Sequence, residues 1–503
     1  MDKNFEIEIS ELFGKIYDYN YKLMKRSEDL SLENHYAFMD IVDFHITSNA
    51  LSLLKNLYHG YQDSIGSLQN VRCIIEGIAL KRMYSAGDIS TEQIELLQKQ
   101  VFLIEYNEYN KFDLIDKILI PEKLERDYKE ACAFYREKLE NKFNDKEIDD
   151  ILHSQIPFLC NPKINHYNLI SQYLGEELTI IYGASSQCIH PTINLSYKCN
   201  EYVAYELIIY SLIKEEYSSL PNTENTLQKH TTLSMHSDIA QRQYKLIGEQ
   251  SKLICGIANV FREFYQENYV SDTLYTITLL HQDMMIDCLM GFREQVKTKW
   301  KIMLELLMGC EYNYLQKQLE ENYSKLFNEH AHILYLRNMH LEYDTTKAYD
   351  IYIKIFPNGC NKGEFDKAFI RTTGYTIDEK GHTLSLTKMV DKFLEQSFSQ
   401  FGEYFLEPVQ LDYVESQILS HANGYMWFAN TGAWADVFNL FKATDLIIIE
   451  ILSKIQNVFE LHRSIEESKK YKTIINVLRN SIKKIKPIVK ERLGWLLVPV
   501  VNI

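Results

Sequence analysis

The stretch Tyr182-Gly-Ala-Ser185-Ser186-Gln-Cys-Ile-His190, followed by Pro191, decides how this chain is read. Its spacing returns as Tyr413-Val-Glu-Ser416-Gln-Ile-Leu-Ser-His421. A second pair of phrases follows each in the same order, Ala204-Tyr-Glu206-Leu-Ile-Ile209 and Ala443-Thr-Asp445-Leu-Ile-Ile448. The offset is 231 residues at the histidines and 239 at Glu206 and Asp445, so eight extra residues between Ala422 and Lys442 reconcile the two. Tyr182, Ser186 and His190 fall four residues apart on one stripe, the period of a helix. The expectation is an all-α protein of two tandem, duplicated helical-bundle domains, 1–218 and 239–503, joined by a polar linker at 219–238.

The rest of the chain agrees with that period. Apolar residues recur at three- and four-residue steps over Phe13–Lys25, Tyr36–His59, Ser64–Tyr84, Thr91–Tyr106 and Tyr128–Phe143. The pattern continues over Tyr167–His190, Tyr202–Tyr217, Ile254–Tyr265, Leu274–Tyr312 and Tyr314–Leu336. Ser218 to Thr232 is polar and poor in apolar residues, which marks the linker. Phe356-Pro-Asn-Gly-Cys-Asn-Lys-Gly363 reads as a loop, and Thr372–Thr383 as a loop or short hairpin. No alternation of strands and helices appears, which argues against a parallel sheet.

Composition narrows the class. A 503-residue chain exceeds one ordinary core, and 46% hydrophobic with 24% charged residues excludes global disorder. Only 19 Gly and 9 Pro favour long helices with few sharp turns. Nine cysteines without a C-x-x-C pair read as reduced core thiols and not as a disulfide framework or zinc ribbon. The opening residues lack a basic segment followed by an apolar run, and no apolar run approaches the roughly 20 residues of a membrane span. A cytoplasmic protein with no membrane partner is expected. Neither a cofactor nor a metal is expected, since no phosphate loop or ligand spacing occurs.

The net charge of −15 argues against wholesale nucleic-acid binding, but Arg463–Arg492 carries ten Lys or Arg against three Glu. Lys469, Lys470, Lys472, Arg479, Lys483 and Lys484 are the candidate nucleic-acid contacts. The alternative is the solvated face of a long helix whose inner side holds Ile474, Ile475, Val477, Leu478, Ile482 and Ile485.

A second polar cluster lies upstream. Arg72 and Glu76 share a face of an otherwise apolar helix, with Gln69 on the same stripe. A buried guanidinium needs a partner, and Glu76 is the nearest. Pro191 disfavours helical geometry at His190, so the helix is expected to end there, where the negative end of the helix dipole favours imidazolium. Arg72, Glu76, Tyr182, Ser186 and His190 are therefore the candidate catalytic set. Against it stands the reading in which they form a satisfied hydrogen-bond network linking helices.

Arg-x-x-x-Glu on one helix, then Tyr-x-x-x-Ser-x-x-x-His-Pro about a hundred residues later, resembles a family of bacterial all-helical proteins carrying a domain of unknown function. The matching residues are Arg72, Glu76, Tyr182, Ser186, His190 and Pro191, over roughly residues 40–215. In the second copy Gln417 stands for the Ser and Ala422 for the Pro, and no Arg-x-x-x-Glu lies near Leu304–Gly309. That family is similar in size and helical character to the HEPN superfamily, which includes ribonucleases of toxin and phage-defence systems. The resemblance implies a defence-type effector acting on RNA without a metal, with Arg72 stabilising a phosphorane and His190 transferring protons. The HEPN Arg…His motif is missing, because Arg337-Asn-Met-His340 is too closely spaced. The alternative is a non-catalytic helical sensor or scaffold whose partner is another protein, or a second copy in a homodimer.

Overall fold

The computed structural model describes residues 3–29, 35–59, 64–109, 122–153, 166–189, 199–227, 238–264, 269–290, 293–312, 321–338, 341–371, 389, 434–461 and 468–496. These residues form 17 α-helices and no strand. The first half contains α1 (Lys3–Asp29), α2 (His35–His59), α3 (Ser64–Ser85), α4 (Thr91–Tyr109), α5 (Glu122–Leu139), α6 (Asp145–Leu152), α7 (His166–Leu174), α8 (Glu176–Ile189) and α9 (Cys199–Tyr217). The second contains α10 (Asp238–Phe264), α11 (Tyr269–Met290), α12 (Arg293–Cys310), α13 (Glu321–Asn338), α14 (Thr346–Ile355), α15 (Lys362–Arg371), α16 (Trp434–Leu461) and α17 (Ser468–Leu496). The hairpin alternative at 372–383 lies outside the described residues.

Local chemistry sets several boundaries. Ser90 and Gln93 bond each other's backbone N–H reciprocally, a capping box that starts α4. Asn144 and Glu147 repeat the device at α6. The periodic run Tyr167–His190 divides at Gly175, whose φ of +89° is a left-handed conformation open to glycine. Gly175 N–H bonds the Ile170 and Ser171 carbonyls, closing α7 before α8 begins. The run Leu274–Tyr312 falls in two helices, α11 and α12.

The two halves pack in the same order. In the first, α1 lies on α2, α2 on α3, and α3 on α9; in the second, α10 lies on α11, α11 on α12, and α12 on α16. Each half also carries a satellite core: Leu96, Leu103, Tyr135, Leu139 and Ile148 beneath α4–α6, and Leu326, Ile333, Tyr352, Phe365 and Phe369 beneath α13–α15. One larger apolar cluster runs through both halves, from Ile9 in α1 to Val489 in α17. Across the boundary α2 and α3 meet α12, and α13 meets α8.

Part of the expected linker is packed. Thr223 Oγ1 and Asn225 Nδ2 donate to the Asp18 carboxylate at 2.5 and 2.6 Å, Leu227 is buried, and Lys15 Nζ donates to the Ser218 carbonyl at 3.0 Å. A Cβ on Gly14 would stand 1.7 Å from the Asn225 carbonyl oxygen, so only glycine lets this strap lie against α1. In the second half α10 is covered instead by α17, which also packs on α16.

Candidate functional site

Helix α3 presents Arg72 and Glu76 one turn apart, and α8 brings Tyr182 between them. Arg72 Nε donates to Glu76 Oε1 at 3.1 Å, Arg72 Nη2 donates to Tyr182 Oη at 3.0 Å, and Tyr182 Oη donates to Glu76 Oε1 at 2.5 Å. The three groups thus form a closed ring, with the guanidinium carbon 4.7 Å from the centre of the tyrosine ring. Arg72 keeps 12% of its side-chain surface, Glu76 4% and Tyr182 2%. Burial, reinforced by the Glu76 carboxylate and resisted by Arg72, pushes the Tyr182 hydroxyl far above its ordinary pKa. It stays a neutral donor at physiological pH.

The elements around the ring are tightly placed. Tyr167 of α7 meets Tyr182 edge-on, centroids 5.3 Å apart at 83°. A Cβ on Gly77 would stand 2.5 Å from Ile46 Cγ1, so glycine beside Glu76 lets α3 approach α2 closely. Ser185 Oγ is spent locally, donating to the Tyr182 carbonyl at 2.8 Å. The structure therefore joins Arg72, Glu76 and Tyr182 of the expected set. The Ser186 side chain and all of His190 and Pro191 lie outside the described residues, as do Tyr413, Ser416, Gln417, His421 and Ala422.

His45 on α2 belongs to this neighbourhood, although no ligand spacing or motif marks it. Burial lowers its pKa and the Glu76 carboxylate pulls it back up. Its only sequence signal is a histidine among Val42, Phe44 and Ile46. In the second half Glu305 is the thirteenth residue of α12, as Glu76 is of α3, and it is equally buried at 4%. Lys301 stands where Arg72 would, so the expected gap near Leu304–Gly309 holds a shifted Lys-x-x-x-Glu instead.

Two further buried charge clusters escaped the sequence reading. In one, Lys55 of α2 reaches Asp283 at 3.1 Å and Asp287 at 2.5 Å on α11, and Lys299 of α12 pairs with the same two carboxylates. Lys55, Lys299 and Asp287 are fully buried. Burial alone would raise the Asp283 pKa, but Lys299 and Lys55 overcome it and hold the group at about 2. In the other cluster, Arg492 of α17 is ion-paired with Asp445 of α16, both at 0% exposure. Gln250 donates to Asp445 at 2.9 Å, Gln243 to the Arg492 carbonyl at 3.2 Å, and His281 lies 3.4 Å from Arg492. Burial lowers the Arg492 pKa to about 9 and, with Arg492 adding to it, drives that of His281 well below 6.5.

Arg492 belongs by sequence to the basic C-terminal run, and the structure removes it from the solvated face. Of the others, Lys469, Lys472, Arg479, Lys483 and Lys484 are exposed, while Ile474, Ile475, Leu478, Ile482 and Ile485 are buried. Arg479 donates to Glu460 at 2.8 Å, and the Lys470 side chain lies outside the described residues. Among the described residues no group of three or more His, Cys, Asp or Glu is placed to hold a metal ion, and no helix is long and apolar enough to cross a membrane.

Fold and site together define an all-helical protein in which Arg72, Glu76 and Tyr182 are largely buried and mutually bonded, while the described basic candidates of α17 are exposed. Comparison with protein-family models, with curated proteins and with solved structures finds no match to this chain.

Proposed function

We propose that this chain is a non-catalytic helical scaffold or sensor, with another protein as its partner. The observation that carries this reading is the closed Arg72–Glu76–Tyr182 ring. A phosphorane-stabilising arginine has to offer its N–H groups to the substrate, whereas here Nε and Nη2 are occupied and the group is largely enclosed. Mutually satisfied buried polar groups fix the mutual placement of helices. The shared packing order of the two halves, and the parallel placement of Glu76 and Glu305, support the reading of the chain as a tandem duplication. A cytoplasmic location fits the cysteine usage.

A second reading keeps a bacterial defence or toxin-type ribonuclease, with RNA tracked by α17. It draws on the exposed Lys469, Lys472, Lys483 and Lys484. One assay separates the two readings. Purified protein is incubated with total bacterial RNA beside an Arg72→Lys variant of equal thermal stability. The scaffold reading expects no cleavage by either protein. Cleavage by the native chain that Arg72→Lys abolishes would replace it with the ribonuclease.

A further inference from the structure

The polar belt that runs between the halves has an asymmetry of charge. The first half contributes Ser52, Lys55 and Asn56 from α2 with Ser67 and Asn70 from α3, and Lys55 is the only charged group among them. The second half contributes Asp283 and Asp287 from α11 with Lys299 from α12, two carboxylates against one ammonium. Ser52 Oγ donates to Asp287 at 3.3 Å and accepts from Asn70 at 3.0 Å, so the belt is continuous across the boundary.

The two sides occupy corresponding places. Ile46-Thr47 and Gly60 recur as Ile277-Thr278 and Gly291, at the 231-residue offset that relates the two tyrosine–histidine phrases. At that offset Ser52 matches Asp283 and Asn56 matches Asp287. Asn70 is the seventh residue of α3 and Lys299 the seventh of α12. Neutral polar groups in one half thus correspond to charged ones at the equivalent places in the other.

We infer that this belt is a pairing code: it makes the α2–α3 face of the first half a docking surface for the α11–α12 face of the second, and rejects a second copy of itself. Two first-half faces would bring two Lys55 side chains together with no carboxylate between them. Two second-half faces would bury four carboxylates against two ammonium groups. Only the mixed pair balances, and burying an unbalanced charge is what penalises the wrong partner. The apolar surface around the belt supplies the adhesion, and the charges choose what adheres. The inference is independent of the scaffold reading, since it concerns which surfaces recognise each other and not what the assembled chain does.

The test uses the full chain with a specific protease site placed between residues 228 and 237. After cleavage, the native halves are expected to co-elute on gel filtration as one species of the original size. Lys55→Glu, cut in the same way, is expected to weaken their association by about two to three powers of ten, so that the halves separate at micromolar concentration. Lys55→Glu combined with Asp287→Lys restores two acids against two bases and is expected to recover most of the loss. If Lys55→Glu does not fold uncut, Lys55→Met takes its place, with the same direction of change. Halves that separate in the native protein would overturn the inference. So would a Lys55 variant that co-elutes as the native protein does, or a double variant no better than the single one.

Discussion

Replacing Tyr182 by Phe removes one oxygen atom and almost no volume, so the consequence falls on the ring and not on packing. The hydroxyl makes two hydrogen bonds, to Arg72 at 3.0 Å and to Glu76 at 2.5 Å, and both partners are charged. A net bond to a charged group contributes roughly 1.5–3 kcal/mol. The two do not add, because Arg72 and Glu76 still pair directly at 3.1 Å after the hydroxyl is gone. The expected loss is therefore about 2–3 kcal/mol, seen as a lower urea midpoint with an unchanged slope when helical circular dichroism is followed. Because the folded-state pKa of Tyr182 is raised, its contribution is complete below the unfolded value near 10 and is lost as pH rises beyond it. The native chain is expected to weaken above about pH 10 more steeply than Tyr182→Phe. A stability change under about 0.5 kcal/mol would refute the claim that the ring locks α3 to α8.

Gly14→Ala drives a methyl group into the Asn225 carbonyl, so the 218–227 strap is expected to lift from α1, measured as faster limited proteolysis there and a loss of about 2 kcal/mol or more. His330 is held at about 4, chiefly by burial and with Arg337 adding to it, while its bond to the Phe369 carbonyl works the other way. Its pKa is depressed, so the stability it favours is present above the unfolded value near 6.5 and is lost as pH falls toward 4; an NMR titration giving a value near 6.5 would contradict this. His281 adds to the same acid weakening from inside the second half, and His281→Asn is expected to reduce the pH dependence below 6.5. The double change Lys483→Ala, Lys484→Ala is expected to leave stability within about 0.5 kcal/mol, since both side chains are exposed. A large loss on thermal unfolding would mean that α17 packs through that face.

The helical period was legible over the long helices, though not over α6, α14 and α15, and so was the ion pair of Arg72 with Glu76, because both depend on neighbours four residues away. Tyr182 was reachable through its four-residue stripe with Ser186 and His190 and through the recurrence of its phrase 231 residues on. Lys55 illustrates what sequence hides. It stands among the buried Leu51, Leu53, Leu54 and Leu57, and that apolar setting was its one signal of burial. Its partners lie 228 and 232 residues away on a helix that itself reads as amphipathic, so nothing local names them. Arg492 misled for the opposite reason. It sits within a run of solvated lysines, and only its place on the Ile485–Val489 side of α17 marks it as inward. Composition counts charges but does not say which way they point.

The distance along the chain between Lys55 and its carboxylates also has a meaning in time. A ribosome adding about 5–20 residues per second needs roughly 10–50 s to travel from Lys55 to Asp287. Throughout that interval the nascent first half carries a lysine that it cannot bury without its acids, and the face of α2 around that lysine stays hydrated. The apolar residues beside it are expected to remain open to chaperones until the second half emerges. Lys55 is therefore expected to delay closure, keeping the first half from sealing a core that its later-made partner must complete.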